Sequence, residues 1–338
     1  MNAALESQHS TNQNADLTPL ITLSAGDMKQ VDAAILAMAG SEVEMIPEIS
    51  HYLISSGGKR LRPMLCLTAA RMFGYQGTEH IRLATAVEFM HTATLLHDDV
   101  VDESTLRRGR STARTLWGNQ ASILVGDFLL GQAFKMMVEV GSMEALGVLA
   151  QAAATIAEGE VMQLAAAKEL ETTESDYLKI INAKTAALFS AATEIGPIIA
   201  ASDLFARQQM RLYGTALGLA FQLVDDVLDY AGKAGDLGKN VGDDFREGKI
   251  TLPVIFAYAR SNDEEKNFWR RSLSNGENDE QAFAHAKSLI TQHHGLIDTI
   301  TRARHYGEQA MKALAPLPAS PQKEALEAVV EFCIARLH

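Results

Sequence analysis

Two acidic clusters carry the clearest chemistry in the chain. Asp98-Asp99-Val100-Val101-Asp102 and Asp225-Asp226-Val227-Leu228-Asp229 each close a strongly apolar stretch. If both stretches are helical, the first and last Asp of each cluster project from one face about one turn apart, roughly 6 Å. Carboxylates that close repel one another, and a helix C-terminus is the wrong end of the dipole for negative charge. Bound cations resolve the conflict. Oxygen donors without cysteine or clustered histidine suit hard Mg²⁺, which keeps several waters and commonly bridges to substrate phosphates. A single DDxxD is often a solvated helix end, so the matched pair is what argues for metal chemistry.

Helical counting adds neighbours to each cluster. Stepping back from Asp229 passes Asp226, Asp225 and Gln222, which places Gln222 on the acidic face of an apolar stretch. His91, Thr94, Asp98 and Asp102 form a second stripe, with His91 about two turns below the carboxylates. Three short segments and one internal pair offer cations. Gly57-Gly58-Lys59-Arg60-Leu61-Arg62-Pro63 is a glycine-preceded helix start, where free N–H groups and the dipole favour phosphate; Lys59 and Arg62 are expected on one side and Arg60 elsewhere. Arg107-Arg108 follows the first cluster with forked donors suited to phosphate oxygens. Lys239 and Lys249 lie in the glycine-rich segment 232–249, expected to close as a lid, and Lys184-Thr185 sits inside an apolar stretch. Each signal is weak alone. Together they describe two pyrophosphate sites around one metal cluster.

The elements that must position these groups are helices. The 338 residues are 47% hydrophobic, hold only 8 prolines, and repeat apolar residues at three- and four-residue spacing over 78–102, 118–138, 143–170, 174–201 and 204–230. The fold class is therefore all-α. No composition shift divides the chain, which predicts one helical domain over residues 25–338, although the last third carries no readable motif. Residues 1–24 contain no Lys or Arg and are expected to be a polar disordered lead-in rather than a targeting peptide. Forty-two acidic against 30 basic residues give a net charge of −12, which lacks the footprint of a nucleic-acid binder and repels anionic lipid. No stretch approaches the roughly 18 to 20 uninterrupted apolar residues of a membrane span, so no stable membrane insertion is expected. Cys66 and Cys333 lie in apolar stretches and suggest buried thiols in a reducing, cytoplasmic setting.

Carrying GGKRLRP, EFMHTATLLHDDVVDES, RRG, KT, FQLVDDVLDY, LGKNVGDD and GKITLP in this order, the chain resembles the trans-isoprenyl diphosphate synthases of the polyprenyl synthetase family, and their long-chain branch most of all. The resemblance spans residues 25–338. It implies a single helical bundle around a central active-site cavity and a homodimer. It also implies Mg²⁺-dependent, head-to-tail addition of isopentenyl diphosphate to an allylic diphosphate such as farnesyl diphosphate, with about three metal ions per loaded site. Asp98, Asp102 and Asp225 would hold the metal, with Asp99, Asp226 and Asp229 as further ligands or as supports behind them. Lys59, Arg62, His91 and Arg108 would hold isopentenyl diphosphate, and Arg107, Lys184, Thr185, Gln222, Lys239 and Lys249 the allylic diphosphate. Arg60 matches no family contact. Ionisation of the allylic carbon would rest on Asp98, Asp99, Asp102, Asp225 and Asp226 through the metal, and on Lys184 through its charge.

Chain length should be set by the wall below the first cluster. Short-chain relatives carry an aromatic plug where this chain has Ala93 and Thr94, and flexible Met90 lies one turn deeper. An open channel beside a helix of ~30 Å implies a product of about eight to ten isoprene units, octaprenyl foremost, as a quinone (ubiquinone) side chain. Geranylgeranyl, solanesyl and decaprenyl products are the alternatives within the family. A class I terpene cyclase normally lacks the second intact DDxxD, a head-to-head synthase needs two allylic substrates, and a non-catalytic synthase subunit tends to lose aspartates that all stand here.

Overall fold

The computed structural model describes residues 16–107, 109–231 and 241–337. Its helices are α1 (Thr18–Met38), α2 (Met45–Ser55), α3 (Leu61–Met72), α4 (Glu79–Val101), α5 (Ala113–Trp117), α6 (Asn119–Val140), α7 (Met143–Ala166), α8 (Glu174–Ile181), α9 (Ala187–Ile199), α10 (Leu204–Ala231), α11 (Asp243–Arg246), α12 (Leu252–Arg260), α13 (Asp263–Trp269), α14 (Glu280–Gln292), α15 (Gly295–Leu314) and α16 (Pro321–Ala335). A two-stranded antiparallel hairpin, β1 (Leu106–Arg107) and β2 (Arg110–Ser111), follows the first acidic cluster. The all-α expectation holds.

The lead-in is shorter than the sequence implied. Thr18–Ser24 is not disordered but forms the first turns of α1, with Pro19 at the helix start, where its missing N–H costs nothing. Leu17, Leu20 and Ser24 are buried, and an apolar contact every third or fourth residue stabilises the helix despite the absence of charge. Arg71 on α3 holds Asp27 of α1 through two hydrogen bonds of 2.9 Å, and His80 at the start of α4 reaches the same carboxylate at 2.9 Å. Residues 1–15 lie outside the described residues.

Two adjoining apolar clusters form the core. One joins α1–α4, α6, α7 and part of α9; the other gathers α10 with the C-terminal helices α12 to α16. Helix α9 serves both, sending Phe189 into the second and Leu188, Ala191 and Ile195 into the first. The stretch predicted as one helix over 174–201 is broken by a π turn at Asn182–Ala186. Two glycines allow neighbouring helices to close on that turn. A Cβ at Gly159 of α7 would lie 2.7 Å from the Lys184 backbone nitrogen, and one at Gly218 of α10 would lie 2.6 Å from the Ala186 Cα. Helix α15 packs extensively on α10, and α16 lies against α1, α3, α10 and α15.

By average composition, α6 is long and apolar enough to cross a membrane, although its apolar residues do not run uninterrupted. Gln120, Asp127, Gln132, Lys135 and Glu139 interrupt it, and 44% of its most apolar window is buried. Its largest contact is with α4.

Candidate active site

Helix α4 ends on the first cluster. Asp98 and Asp102, one turn apart, keep 14% of their side-chain surfaces exposed, and each faces a lysine brought from far along the chain. Lys184 Nζ lies 3.7 Å from Asp98 and donates to Glu160 at 2.8 Å. Lys249 Nζ donates to Asp102 at 2.7 Å and sits 2.7 Å from Glu247. Burial, followed by repulsion from Asp102, outweighs Lys184 and raises the Asp98 carboxyl. Burial opposes the charge on Lys249, but Asp102, Asp244 and Glu247 together push its ammonium well above the usual lysine range. Asp99 points the other way. It is fully buried and accepts from Arg107 Nε at 2.8 Å.

The second cluster sorts in the same manner. Asp225 is the most open of its three aspartates, with Arg336 of the C-terminus 3.5 Å away. Asp226 reaches the cavity wall but is fully buried, and both of its oxygens are engaged. One accepts from the Tyr177 hydroxyl and the other from Gln222 Nε2 at 3.0 Å. Gln222 in turn accepts from the Thr185 hydroxyl at 2.9 Å. Burial and the nearby Asp244 charge push the Asp226 carboxyl up to about 8. Asp229 is also buried and accepts the Asp244 N–H at 3.2 Å. Of the two roles left open for Asp99, Asp226 and Asp229, the geometry therefore favours support behind Asp98, Asp102 and Asp225.

A 470 Å³ cavity takes in one aspartate of each cluster, Asp102 and Asp226, and Asp98 and Asp225 do not line it. Lys184, Thr185, Gln222 and Lys249, expected around one diphosphate, all line it together with Asp102 and Asp226. Arg107 does not join them. Its bond to Asp99 turns it into a separate 40 Å³ pocket beside His91 and Tyr52. Arg62 stacks its guanidinium 4.3 Å above Phe189 and meets His91 Nε2 at 3.3 Å, so this expected pair is brought together; burial lowers the guanidinium to about 10. Lys59 precedes α3 and does not share Arg62's side. It lies 4.4 Å over the Phe332 ring of α16. Arg60 points elsewhere, as its spacing indicated, and pairs with Asp32 of α1 at 2.8 Å from a left-handed backbone (φ +46°). Arg108 and Lys239 lie outside the described residues, as does the first half of the expected lid, residues 232–240.

The wall below the first cluster is closed rather than open. Met90 and Ala93 are buried in the apolar core, Thr94 donates to the His91 carbonyl at 2.8 Å, and none of the three lines the 470 Å³ cavity. Ala93 is small, but it is buried within the apolar cluster that α4 shares with α1–α3, α6, α7 and α9. Four of the groups that shape the cavity were not read from sequence. Tyr177 and Glu160 had no motif around them, while Asp244 and Glu247 sat within or beside the quoted LGKNVGDD and GKITLP segments. Arg336, two residues from the end of the chain, gave no spacing signal.

The donors suit a hard divalent ion. They are all oxygen, and lysine ammonium groups already stand against Asp98 and Asp102 as counter-charges. Among the described residues, no three His, Cys, Asp or Glu side chains form a closed ion cage.

A family model described as Polyprenyl synthetase matches residues 43–290. The chain is 42% identical over 321 residues to the octaprenyl diphosphate synthase of Escherichia coli (strain K12), covering 95% of this chain and 99% of that protein. It superposes on a crystal structure of a polyprenyl synthase from Caulobacter crescentus CB15, complexed with calcium and isoprenyl diphosphate, with a TM-score of 0.93 and 47% identity, covering 96% of this chain and 99% of that one. A decaprenyl diphosphate synthase from Rhodobacter capsulatus gives a TM-score of 0.91 and 49% identity, covering 96% and 100%.

Proposed function

The chain belongs to the polyprenyl synthetase family, and on that premise we propose that it adds isopentenyl diphosphate head to tail to an allylic diphosphate, building octaprenyl diphosphate. It is a prenyltransferase. The observation that carries the substrate reading is the 470 Å³ cavity, where Lys184 and Lys249 stand between the first cluster and Gln222, Thr185 and Asp226 of the second. Asp98, Asp102 and Asp225 would hold Mg²⁺, which supplies Lewis-acid polarisation of the leaving diphosphate. Lys184 and Lys249 add positive charge where negative charge develops on that group, in a site whose burial strengthens the effect. Thr185 and Gln222 orient it by hydrogen bonds. Arg62 and His91 would hold the second diphosphate, with Lys59 reaching it from the α16 side. The alkene then attacks the allylic carbon, and the departing diphosphate takes the released proton.

Incubation with labelled isopentenyl diphosphate, farnesyl diphosphate and Mg²⁺, followed by product sizing, tests this. Octaprenyl diphosphate is the expected product. Products no longer than geranylgeranyl would overturn the length, and no incorporation would overturn the activity. A decaprenyl product is the second reading, favoured by the 49% identity to the Rhodobacter capsulatus enzyme.

A homodimer is supported by exposed Leu124 and Val138 on α6 and Met143 and Val161 on α7, large apolar side chains that a second copy would cover. Light scattering should give twice the chain mass, reduced to one by Leu124→Glu. The buried free thiols Cys66 and Cys333 support a reducing cytoplasmic setting, and a quinone side chain is the fitting use of a long product. The packing of α1 on α3, α4 and α16 supports residues 25–338 acting as one domain.

A further inference from the structure

Glu160 belongs to neither aspartate cluster, yet it lines the cavity and is the nearer partner of Lys184. Its place is built by both chain segments that meet there. Gly159, the residue before it, lets α7 approach the π turn at Asn182–Ala186 so closely that any Cβ would press on the Lys184 backbone nitrogen at 2.7 Å and the Ala183 Cβ at 2.9 Å. A π turn displaces side chains from their α-helical register and is frequent at functional sites. Here it delivers Lys184 to the cavity between two carboxylates, 2.8 Å from Glu160 and 3.7 Å from Asp98.

A lysine ammonium is a compact charge on a flexible stem, and in a half-buried site it settles on the nearest carboxylate. With Asp98 alone in reach, Lys184 would close on that carboxylate and compete with any divalent ion there. We propose that Glu160 is a positioning residue, anchoring Lys184 at the cavity wall so that Asp98 stays available to metal while the ammonium still faces the leaving diphosphate. The inference rests on the proposed metal–diphosphate reading of the site. It adds that the ligand competence of Asp98 depends on a carboxylate 62 positions along the chain, acting through Lys184.

The test measures binding without turnover. Mn²⁺, followed by electron paramagnetic resonance, is titrated with inorganic pyrophosphate into the full chain and its variants Glu160→Gln, Lys184→Met, the double variant and Asp98→Asn, each checked for an unchanged melting transition. Glu160→Gln should weaken Mn²⁺–pyrophosphate binding about tenfold in the native background and change it less than about twofold in the Lys184→Met background, as expected of coupled residues. In steady state it should raise KM for the allylic diphosphate and lower kcat, leaving KM for isopentenyl diphosphate in place. An equal loss in both backgrounds would show Glu160 acting on the metal directly and overturn the proposal, as would no loss in the native one. If Asp98→Asn binds Mn²⁺–pyrophosphate as well as the native chain, the underlying reading of the site fails and the proposal with it. That outcome is separate because it does not depend on Glu160.

Discussion

Asp98 and Asp226 are both aspartates of a DDxxD cluster, yet their surroundings give them different work. Asp98 keeps a partly exposed edge facing Lys184, whereas Asp226, on the cavity wall, has both oxygens engaged by Tyr177 and Gln222 and its carboxyl raised to about 8 by burial. The raised value has a consequence for stability. Below the ordinary aspartate value near 3.8 the carboxyl is protonated in both the folded and unfolded chain, and its contribution is fully present. Between there and about 8 the unfolded chain ionises while the folded one does not, so stability falls by up to about 1.4 kcal/mol per pH unit. In chelator, the native protein should therefore lose melting temperature between about pH 5 and pH 8, and Asp226→Asn should reduce that loss. An unchanged slope in the variant would show that Asp226 is ionised in the fold.

At the scale of elements, the decisive arrangement is the π turn held between α7 and α10. Gly159 and Gly218 press on it from two sides, and nothing larger fits without movement of backbone. Gly218→Ala puts a methyl group 2.6 Å from the Ala186 Cα. It should cost about 1–3 kcal/mol in denaturant unfolding, the usual cost of overpacking. Because the same turn carries Lys184 and Thr185, KM for the allylic diphosphate should rise more than KM for isopentenyl diphosphate. A stability loss with both KM values intact would separate the turn's packing from its role in the site. The wall of α4 belongs to this scale too. Ala93 is buried in the apolar core and does not line the cavity. Ala93→Tyr should shorten the product without abolishing condensation, read by product sizing; unchanged length would place the wall elsewhere.

For the molecule as a whole, the charge of −12 describes the surface and misdescribes the site. The six cluster aspartates account for half of that excess, and Lys184 and Lys249 already stand among them. Loading with divalent ions turns the pocket positive inside an acidic protein, so the allylic diphosphate should bind well with Mg²⁺ and poorly in excess chelator. Calorimetric titration checks this, and equal affinity in both would contradict it. The far end of the chain reaches two of the site residues, with Phe332 of α16 beneath Lys59 and Arg336 against Asp225.

The helices, the two acidic faces and the grouping of Gln222 with Asp226 were legible in the sequence because each depends on steps of three or four residues along one helix; His91, expected on the stripe of Asp98, meets Arg62 and lines the pocket of Asp99 and Arg107. The same local reasoning turned Arg60 away from Arg62. It could not sort six aspartates into those left partly exposed and those fully buried, since that depends on Tyr177, Arg107 and the Asp244 N–H arriving from other segments. It read Ala93 as open space because a small side chain leaves room only if its neighbours stay away, and Ala93 is buried. Tertiary structure alone decided these points, and alone put Glu160 beside Lys184, because close packing sets the distance between residues that no helical period connects.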